Sequence, residues 1–428
     1  MWDRFCFYVS NVRQLKAYDW TAMPNPKCPL TSYDLHMTPA TLSTILTLAT
    51  PMGADSAEAI FRSLRTVLVD VINDTSILAA PLILQHKLIS IDVLFCKRDI
   101  SSQAITDFLR LVPERCPDLR WFRFRLYATP EGALVISQVM ETSVNKLKAL
   151  RTFLGSRDFV MTPKTMESLS TLPDLRSLQF GQYSDDEPPE RLNLDDKSFP
   201  MLYSLHLKTP NDHVVAALRS PYFPPSSLNE FTASSISSTT SLTGTLSHLI
   251  SKSHKLRSID LSLLYGSRFD STHLELISKL KHLRTLCISS SQDLGLTDAD
   301  MQACIPQLPL LRKVTITSKS TSSPDKITLQ TLQTLVYQCL CIGTIHLTFD
   351  ASAIPSSDRS DWMVKNSRLS TSGSRRDVMV LLTNCMITDA EGVIMWFKSY
   401  LAPYVEIDLM GESDCQDTEA WKTVRKAI

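Results

Sequence analysis

The stretch that decides the fold reads Leu256-Arg257-Ser258-Ile259-Asp260-Leu261, and its spacing of apolar residues recurs along the chain. The phrase returns 27 residues later at Leu283-Arg284-Thr285-Leu286-Cys287-Ile288, and 28 residues after that at Leu311-Arg312-Lys313-Val314-Thr315-Ile316. Each copy has apolar residues at its first, fourth and sixth positions. An LxxLxL phrase with a period of about 28 residues is typical of leucine-rich repeats, in which each unit contributes a strand and a helix.

The same spacing can be followed over most of the chain. The other copies begin at Val12, Leu64, Leu88, Leu119, Leu147, Leu175, Leu202, Leu228, Ile342, Val378 and Tyr404. Because strand side chains alternate between two faces, the first, fourth and sixth positions are predicted to point into the core. In the degenerate copy at Val378, this register makes Val378, Leu381 and Thr383 the inward residues.

Helix start signals lie between the copies. Thr162 precedes Pro163, and Thr297 precedes a segment with helical apolar spacing. Thr272 and Glu275 have the spacing of a capping box. Strands therefore alternate with helices, which predicts an α/β leucine-rich-repeat solenoid. Its parallel strands would line the concave face of a right-handed curved array, and its helices would cover the convex face.

The repeats predict one continuous array over residues 1–428. The first step, from Val12 to Leu64, is 52 residues long, so we expect residues 1–60 to be an N-terminal capping repeat with an insertion. Residues 351–377 are polar and rich in serine, and they predict a long loop within the array.

Composition limits the classes of partner. Lys and Arg together number 44, as do Asp and Glu, so no global field attracts nucleic acid or an anionic membrane. The ten cysteines form no CxxC pair and favour reduced, mostly buried thiols. The sequence contains no apolar run of membrane-spanning length and no signal-peptide pattern at its start. We expect a cytoplasmic or nuclear protein that is a monomer outside its complex and binds neither nucleic acid nor membrane.

Motifs that carry catalysis are missing from the sequence. It contains no glycine-rich phosphate loop, no HExxH, no GxSxG and no histidine pair at metal-ligand spacing. The sequence therefore predicts no enzymatic activity, no cofactor and no metal. Residues distant in sequence can still meet in space, so a catalytic triad, or a site within the loop 351–377, stays open as the enzymatic alternative.

The residues between the inward positions form the predicted partner-binding face. The candidates are Trp121, Arg123, Arg125, Arg151, Gln179, His206, Lys208, Asp260, Lys313, His346, Glu406 and Asp408. The N-terminal half of this row is basic and its C-terminal end is acidic. Trp121, Arg123 and Arg125 are the sharpest candidates, because Trp and Arg are enriched at binding hot spots. The alternative interpretation is ordinary solvated strand residues, with Trp121 packed on a neighbouring strand.

Three stretches resemble the repeat region of fungal F-box proteins with leucine-rich repeats. Residues 2–8, WDRFCFY, followed by Val12-Arg13-Gln14-Leu15, are similar to the W-x-R-F-x-x-Y segment and V-R-x-L strand of that group. Residues 61–67, FRSLRTV, are similar to its F-x-x-L-R-x-L strand. Residues 172–178, LPDLRSL, are similar to its L-P-x-L-R-x-L phrase.

This resemblance implies the client-recognition region of an SCF-type ubiquitin ligase substrate receptor. In that family the solenoid holds a protein client, and a separate F-box binds a Skp-type adaptor and, through it, a cullin. The F-box lies before the W-x-R-F element, where this chain begins. Adaptor and cullin binding is therefore expected only if an F-box precedes this region. The alternative is a scaffold or inhibitor protein with leucine-rich repeats, without an F-box and unrelated to ubiquitination.

Overall fold

The structure, a computed structural model, divides the chain into two compact units, Met1–Ser227 and Leu228–Ile428. It describes residues 11–17, 34–38, 41, 44, 61–71, 83–95, 101–125, 130–156, 159–183, 192–208, 218, 220–319, 327–352, 354, 376–382, 385–401, 405–411 and 419–428. A search of these residues found no helix long and apolar enough to cross a membrane.

The first unit consists of short strands and three described α-helices. The strands are β1 (Gln14–Ala17), β2 (Asp34–Met37), β3 (Thr66–Val71), β4 (Ser90–Phe95), β5 (Trp121–Arg125), β6 (Thr152–Leu154), β7 (Val160–Met161), β8 (Ser177–Phe180), β9 (Gln182–Tyr183) and β10 (Ser204–Leu207). The helices are α1 (Ser102–Arg115), α2 (Pro130–Ser143) and α3 (Pro163–Ser170), with a 3-10 turn at Val144–Lys146.

All main-sheet strands of the first unit run parallel, in the order β10-β8-β6-β5-β4-β3-β1-β2. The long first step contains an additional strand: β2 pairs with the free edge of β1, on the side away from β3. β7 and β9 form a separate parallel pair. Sequence spacing alone did not show β2, because its residues do not repeat the LxxLxL phrase.

Aromatic side chains fill the core beneath β5. Phe122 and Phe124 are buried, and the ring of Phe124 lies edge-on to Phe159 with centroids 4.9 Å apart. Phe153 from β6 contacts the same cluster. Burying a side chain of this size stabilises the fold by about 1.5–3 kcal/mol. Because these rings anchor the even-numbered residues of β5, Trp121, Arg123 and Arg125 must lie on the other face.

The second unit repeats this plan. Its strands are β11 (Glu230–Ile236), β12 (Ser258–Leu263), β13 (Thr285–Ser290), β14 (Lys313–Ser318), β15 (Thr344–Leu347), β16 (Asp350–Ala351), β17 (Arg376–Leu382), β18 (Met386–Ile387) and β19 (Val405–Gly411). Its helices are α4 (Thr239–Lys252), α5 (Ser271–Ser278), α6 (Asp298–Cys304), α7 (Leu329–Gln338), α8 (Ala390–Trp396) and α9 (Glu419–Ala427), with a 3-10 turn at Ile305–Gln307 and a π-helical turn at Phe397–Leu401.

The main sheet of the second unit is also parallel, in the order β19-β17-β15-β14-β13-β12-β11, and β16 pairs with β18. The apolar residues of the repeat phrase at Leu256 point into the core as predicted, since Leu256, Ile259 and Leu261 are fully buried. The leucine-rich-repeat class predicted from that phrase is confirmed. The extent of a single array over residues 1–428 stays a prediction, and most of the predicted loop 351–377 lies outside the described residues.

Two helix starts agree with the sequence and one does not. Thr162 and Thr297 cap α3 and α6 through their side chains, as predicted. The capping box assigned to Thr272 and Glu275 is wrong. The cap of α5 is Asp270, whose carboxylate accepts the backbone N–H groups of Thr272 and His273. A carboxylate is also the better partner for the positive end of the helix dipole.

The predicted register of the copy at Val378 is wrong by one residue. Ile345 pairs with Val380, and Leu347 pairs with Leu382. Val378 and Val380 are buried, whereas Leu381 is only half-buried. The physical reason is that the strand buries every second residue, so the alternation of valines overrides the LxxLxL spacing.

Candidate protein-interaction face

Side chains at the third and fifth repeat positions emerge on the sheet face opposite the buried ones, called the open face below. On β5 the alternation is complete: Phe122 and Phe124 are buried, while Trp121, Arg123 and Arg125 are half-exposed. The structure thus brings the three sharpest sequence candidates together on one strand. The predicted register of the copy at Leu147 is wrong by three residues, because Phe153 pairs with Phe122 and takes the inward fourth position. Arg151 therefore aligns with Arg120 in the turn before β6, outside the strand row, and its backbone N–H donates to the carbonyl of Arg120.

A buried carboxylate lies beside this basic group. Asp92 on β4 is in register with Arg123, and its side chain is 7% exposed. Its oxygens lie 3.7 Å from Nη1 of Arg123 and 3.6 Å from Nη2 of Arg125. The two arginine side chains remain 35% and 34% exposed. The strand therefore presents two cations around one acid, with a net positive charge, rather than a purely basic patch.

Burial dominates the electrostatics of Asp92. Loss of solvent raises the pKa of this carboxyl above its ordinary value, although Arg125 and Arg123 act in the opposite direction. The ion-pair distances exceed hydrogen-bond length, and no hydrogen bond reaches Oδ1 of Asp92 or Nε of Arg123 and Arg125. The two Nε atoms are buried, so a partner can reach each guanidinium group only through the part of the side chain that stays exposed.

Sequence reasoning missed Asp92, although a signal was present. In the copy that begins at Leu88, Asp92 stands at the fifth position, the position that Arg123 takes in the next copy. In adjacent parallel strands that align repeat by repeat, equal positions become neighbours. Comparing fifth positions of consecutive copies therefore predicts the contact.

Gln179 is not part of the exposed row. Its side chain is 7% exposed, and its Nε2 donates to the carbonyl of Gly155 at 2.9 Å. The backbone N–H of Gly155 donates in return to the carbonyl of Gln179. A Cβ on Gly155 would lie 2.8 Å from the Phe159 ring, so glycine permits this close approach. Gln179 is a structural residue, and its assignment to the partner-binding row was wrong.

His206 and Lys208 end the row in the first unit, and both are half-exposed. Burial, reinforced by the charge of Lys208, lowers the pKa of His206 to about 4. The imidazole is therefore neutral at neutral pH and adds no positive charge. The basic character of this half of the row comes from its arginines and Lys208.

The open face of the second unit is mostly neutral. Asp260 on β12 is exposed, and it is in register with Cys287 on β13, which pairs with Thr315 on β14. Partial burial raises the pKa of the Asp260 carboxyl, while the charge of Lys313 acts in the opposite direction. His346 on β15 is half-exposed and in register with Thr315.

The predicted acidic end is only partly described. Glu406 on β19 is exposed, whereas the side chain of Asp408 lies outside the described residues. The structure therefore separates the candidates into the β5 group in the first unit and dispersed polar residues in the second.

One arrangement resembles a catalytic triad and has a structural role. Nδ1 of His273 lies 2.7 Å from Oδ1 of Asp270, and its Nε2 lies 2.9 Å from Oγ1 of Thr243. His273 is 2% exposed and stacked on Phe269. The Thr243 hydroxyl also donates to the Thr239 carbonyl within α4. The imidazole completes the capping box of α5 and ties it to α4, and its burial excludes a substrate.

The remaining described side chains show no metal centre. No group of three or more His, Cys, Asp or Glu among them could hold a metal ion. The fold and the open face define a leucine-rich-repeat protein whose half-exposed strand residues are available to a macromolecular partner.

The chain was compared with protein families, curated proteins and solved structures. No protein-family model matches the chain, and no curated protein matches its sequence. Among solved structures, the chain is similar to one described as "Crystal structure of Rad7 and Elc1 complex in yeast". That likeness covers 68% of this chain and 87% of the other, at 13% identity and a TM-score of 0.33. The fold assignment rests on the repeats and strands above, and no functional argument is taken from this likeness.

Proposed function

We propose that this chain is a protein-interaction module that recognises a client protein on its open face. The observation that carries the proposal is the group Trp121, Arg123 and Arg125, held on one strand by a phenylalanine core. An aromatic side chain beside two guanidinium groups is the composition found at interface hot spots. Asp92 lies beside both arginines, whose side chains remain 35% and 34% exposed.

We further propose that the module is the client-recognition region of an F-box-type ubiquitin ligase receptor. The support is the W-x-R-F and L-P-x-L-R-x-L phrases in the sequence, together with a repeat fold suited to holding a client. In this role the protein positions the client, while ubiquitin transfer occurs on other subunits. The module is not an enzyme, binds no cofactor and works in the cytoplasm or nucleus.

The open-face hypothesis is tested by removing the three charges together. The triple variant Asp92→Asn, Arg123→Gln, Arg125→Gln removes the carboxylate together with both of its cations, so it leaves no unpaired charge in a buried position. Lys148→Gln is the matched control, since it makes the same net change on an exposed turn of the same unit. We expect the triple variant to lose bound partners at least tenfold in quantitative affinity purification, as about 1.4 kcal/mol corresponds to a factor of ten.

A photo-crosslinking residue at position 121 locates the contact. We expect it to capture the same partner that the triple variant loses. Retention of every partner by the triple variant, with no crosslink from position 121, would show that the open face of β5 is not the binding surface.

The ligase role has its own experiment. The protein is expressed from its native gene with all upstream coding sequence, and co-purification of a Skp-type adaptor is measured. Adaptor retention supports the receptor role. Client binding without the adaptor would instead identify a scaffold or inhibitor protein unrelated to ubiquitination.

A further inference from the structure

A second charged surface lies in the turns that precede the strands of the second unit. Four such turns have the same geometry, because the N–H groups of Leu256, Leu283, Leu311 and Ile342 each donate to the carbonyl three residues earlier. Residues at equal positions of these turns therefore form columns across neighbouring strands. The strands are about 4.8 Å apart, so the members of each column are adjacent.

The columns are basic. The residue after the turn is Arg257, Arg284 and Arg312 in consecutive repeats, and the N–H of each donates to the carbonyl of the preceding repeat's residue. Lys255 stands two residues before Arg257 and is exposed. The four turns, residues 253–258, 280–285, 308–313 and 339–344, contain no acidic residue. We name Lys255, Arg257, Arg284 and Arg312 the basic rim.

The rim cations have no intramolecular counter-ion in the described part of the chain. No described carboxylate forms an ion pair with any of the four. Glu230 on β11 is in register with Ser258 and not with Arg257. Lys281 differs from them, because its Nζ donates to the Ser278 carbonyl at the end of α5 and to Gln307, a helix-capping role.

Exposed leucines flank the rim on the side of the later repeats. Leu310, two residues before Arg312, is 37% exposed, and Leu340 in the next turn is 50% exposed. Exposed leucines beside unpaired cations suit a polypeptide that carries both acidic and apolar side chains. They do not suit single-stranded nucleic acid, which binds through aromatic stacking platforms, and the four turns contain no Phe, Tyr or Trp.

We infer that the basic rim is a docking surface for an acidic segment of a partner protein, with Leu310 and Leu340 contacting an apolar side chain of that segment. This surface is distinct from the open face, so the inference goes beyond the proposed function and does not depend on it. Charge complementarity selects the segment and accelerates its association.

The test uses a fluorescein-labelled acidic peptide in which glutamates flank two leucines, titrated in an anisotropy assay. We expect the triple variant Arg257→Gln, Arg284→Gln, Arg312→Gln to bind it about tenfold more weakly, since exposed ion pairs contribute modestly each and add. The matched control is Arg65→Gln, Arg120→Gln, Arg176→Gln, which removes the same charge from equivalent positions of the first unit. Circular dichroism and thermal melts verify the fold of both.

Leu310→Ser with Leu340→Ser separates the apolar contribution. We expect severalfold weaker binding of the leucine-containing peptide and unchanged binding of a version with glycine in place of leucine. If the triple variant does not fold, Lys255→Gln with Leu340→Ser carries the test. The inference is overturned if the wild-type protein does not bind the peptide, if both triple variants lose affinity equally, or if a labelled single-stranded oligonucleotide binds as tightly.

Discussion

The two units build the same turn before their strands and follow it with arginines, but they differ in charge two residues before the arginine. In the first unit, Asp118 and Asp174 each stand two residues before an arginine, Arg120 and Arg176. In the second unit, Lys255 and His282 take that place before Arg257 and Arg284. The leucine between them is buried in every case, so the scaffold is indifferent to the exchange.

The open faces of the two units also differ in how their charged residues are arranged. The first unit concentrates its charges around the buried Asp92, whereas the second carries dispersed groups such as Asp260 and Lys313. Four measurements test these differences between the two units.

The largest expected effect concerns the shared scaffold. Leu119→Ala and Leu256→Ala remove equivalent, fully buried side chains, so each is expected to lower the free energy of unfolding by about 3 kcal/mol. Arg120→Ala and Arg257→Ala, one residue on, are expected to change it by less than about 0.5 kcal/mol. Urea unfolding followed by circular dichroism measures all four. If Arg257→Ala lowered the free energy of unfolding as much as Leu256→Ala, the basic rim would have a structural role in folding.

The second measurement compares the two open-face acids. Asp92→Lys places a third cation between Arg123 and Arg125, and we expect it to cost about 3 kcal/mol, because an uncompensated buried charge is expensive. Asp260→Lys changes an exposed site, and we expect less than about 1 kcal/mol. The same urea titration applies. Equal effects would contradict the distinction between a buried ion pair and a dispersed surface charge.

The third measurement uses pH. Burial lowers the pKa of His206 to about 4, so its contribution to stability is fully present above about pH 6.5 and is lost as the pH falls toward 4. His206→Gln should reduce this loss in the free energy of unfolding by about 2 kcal/mol.

The pKa shift of Asp260 in the second unit has the opposite effect on the pH dependence of stability. Its pKa is raised, so its contribution is present below its ordinary pKa and is lost as the pH rises through the folded-state value. Asp260→Asn should therefore remove a slope opposite to that of His206. Thermal melts from pH 4 to pH 7 compare the two variants, and parallel slopes would refute the assignment.

The smallest effect is expected when turn residues of the first unit are changed to resemble those of the second. In the rim variant with all three arginines changed to glutamine, Asp118→Lys and Asp174→Lys make the first unit's turns resemble those of the second. We expect the acidic peptide to regain about threefold in affinity, with stability unchanged within about 0.5 kcal/mol. Peptide anisotropy provides the measurement. No recovery would mean that the exposed leucines of the second unit are indispensable.

The strands and much of the core were predictable from the sequence, because burying every second strand residue imposes a local pattern. Leu256, Ile259 and Leu261 are buried as that pattern requires, and Thr162 and Thr297 cap their helices as their positions indicate. The helix start at Asp270 was misassigned, since Asp270 and Thr272 could both cap and only the packed helix selects one.

The candidate site was less predictable, because its properties arise from neighbouring strands. Trp121, Arg123 and Arg125 were found from alternation, but Asp92 became their partner only through the register of β4 and β5. Gln179 had the sequence position of a surface residue, and its contact with Gly155 buried it. The exposure of a strand residue depends on what the adjacent loop places over it.

The repeat class and the inward residues of most copies could be read from the amino-acid sequence, because both follow from local periodicity. The tertiary structure alone decided which charges meet. It paired a buried carboxylate with two arginines in the first unit and aligned unpaired arginines and exposed leucines in the second. The physical reason is that electrostatic energy depends on distance and burial, and both are set only when parallel strands align side by side.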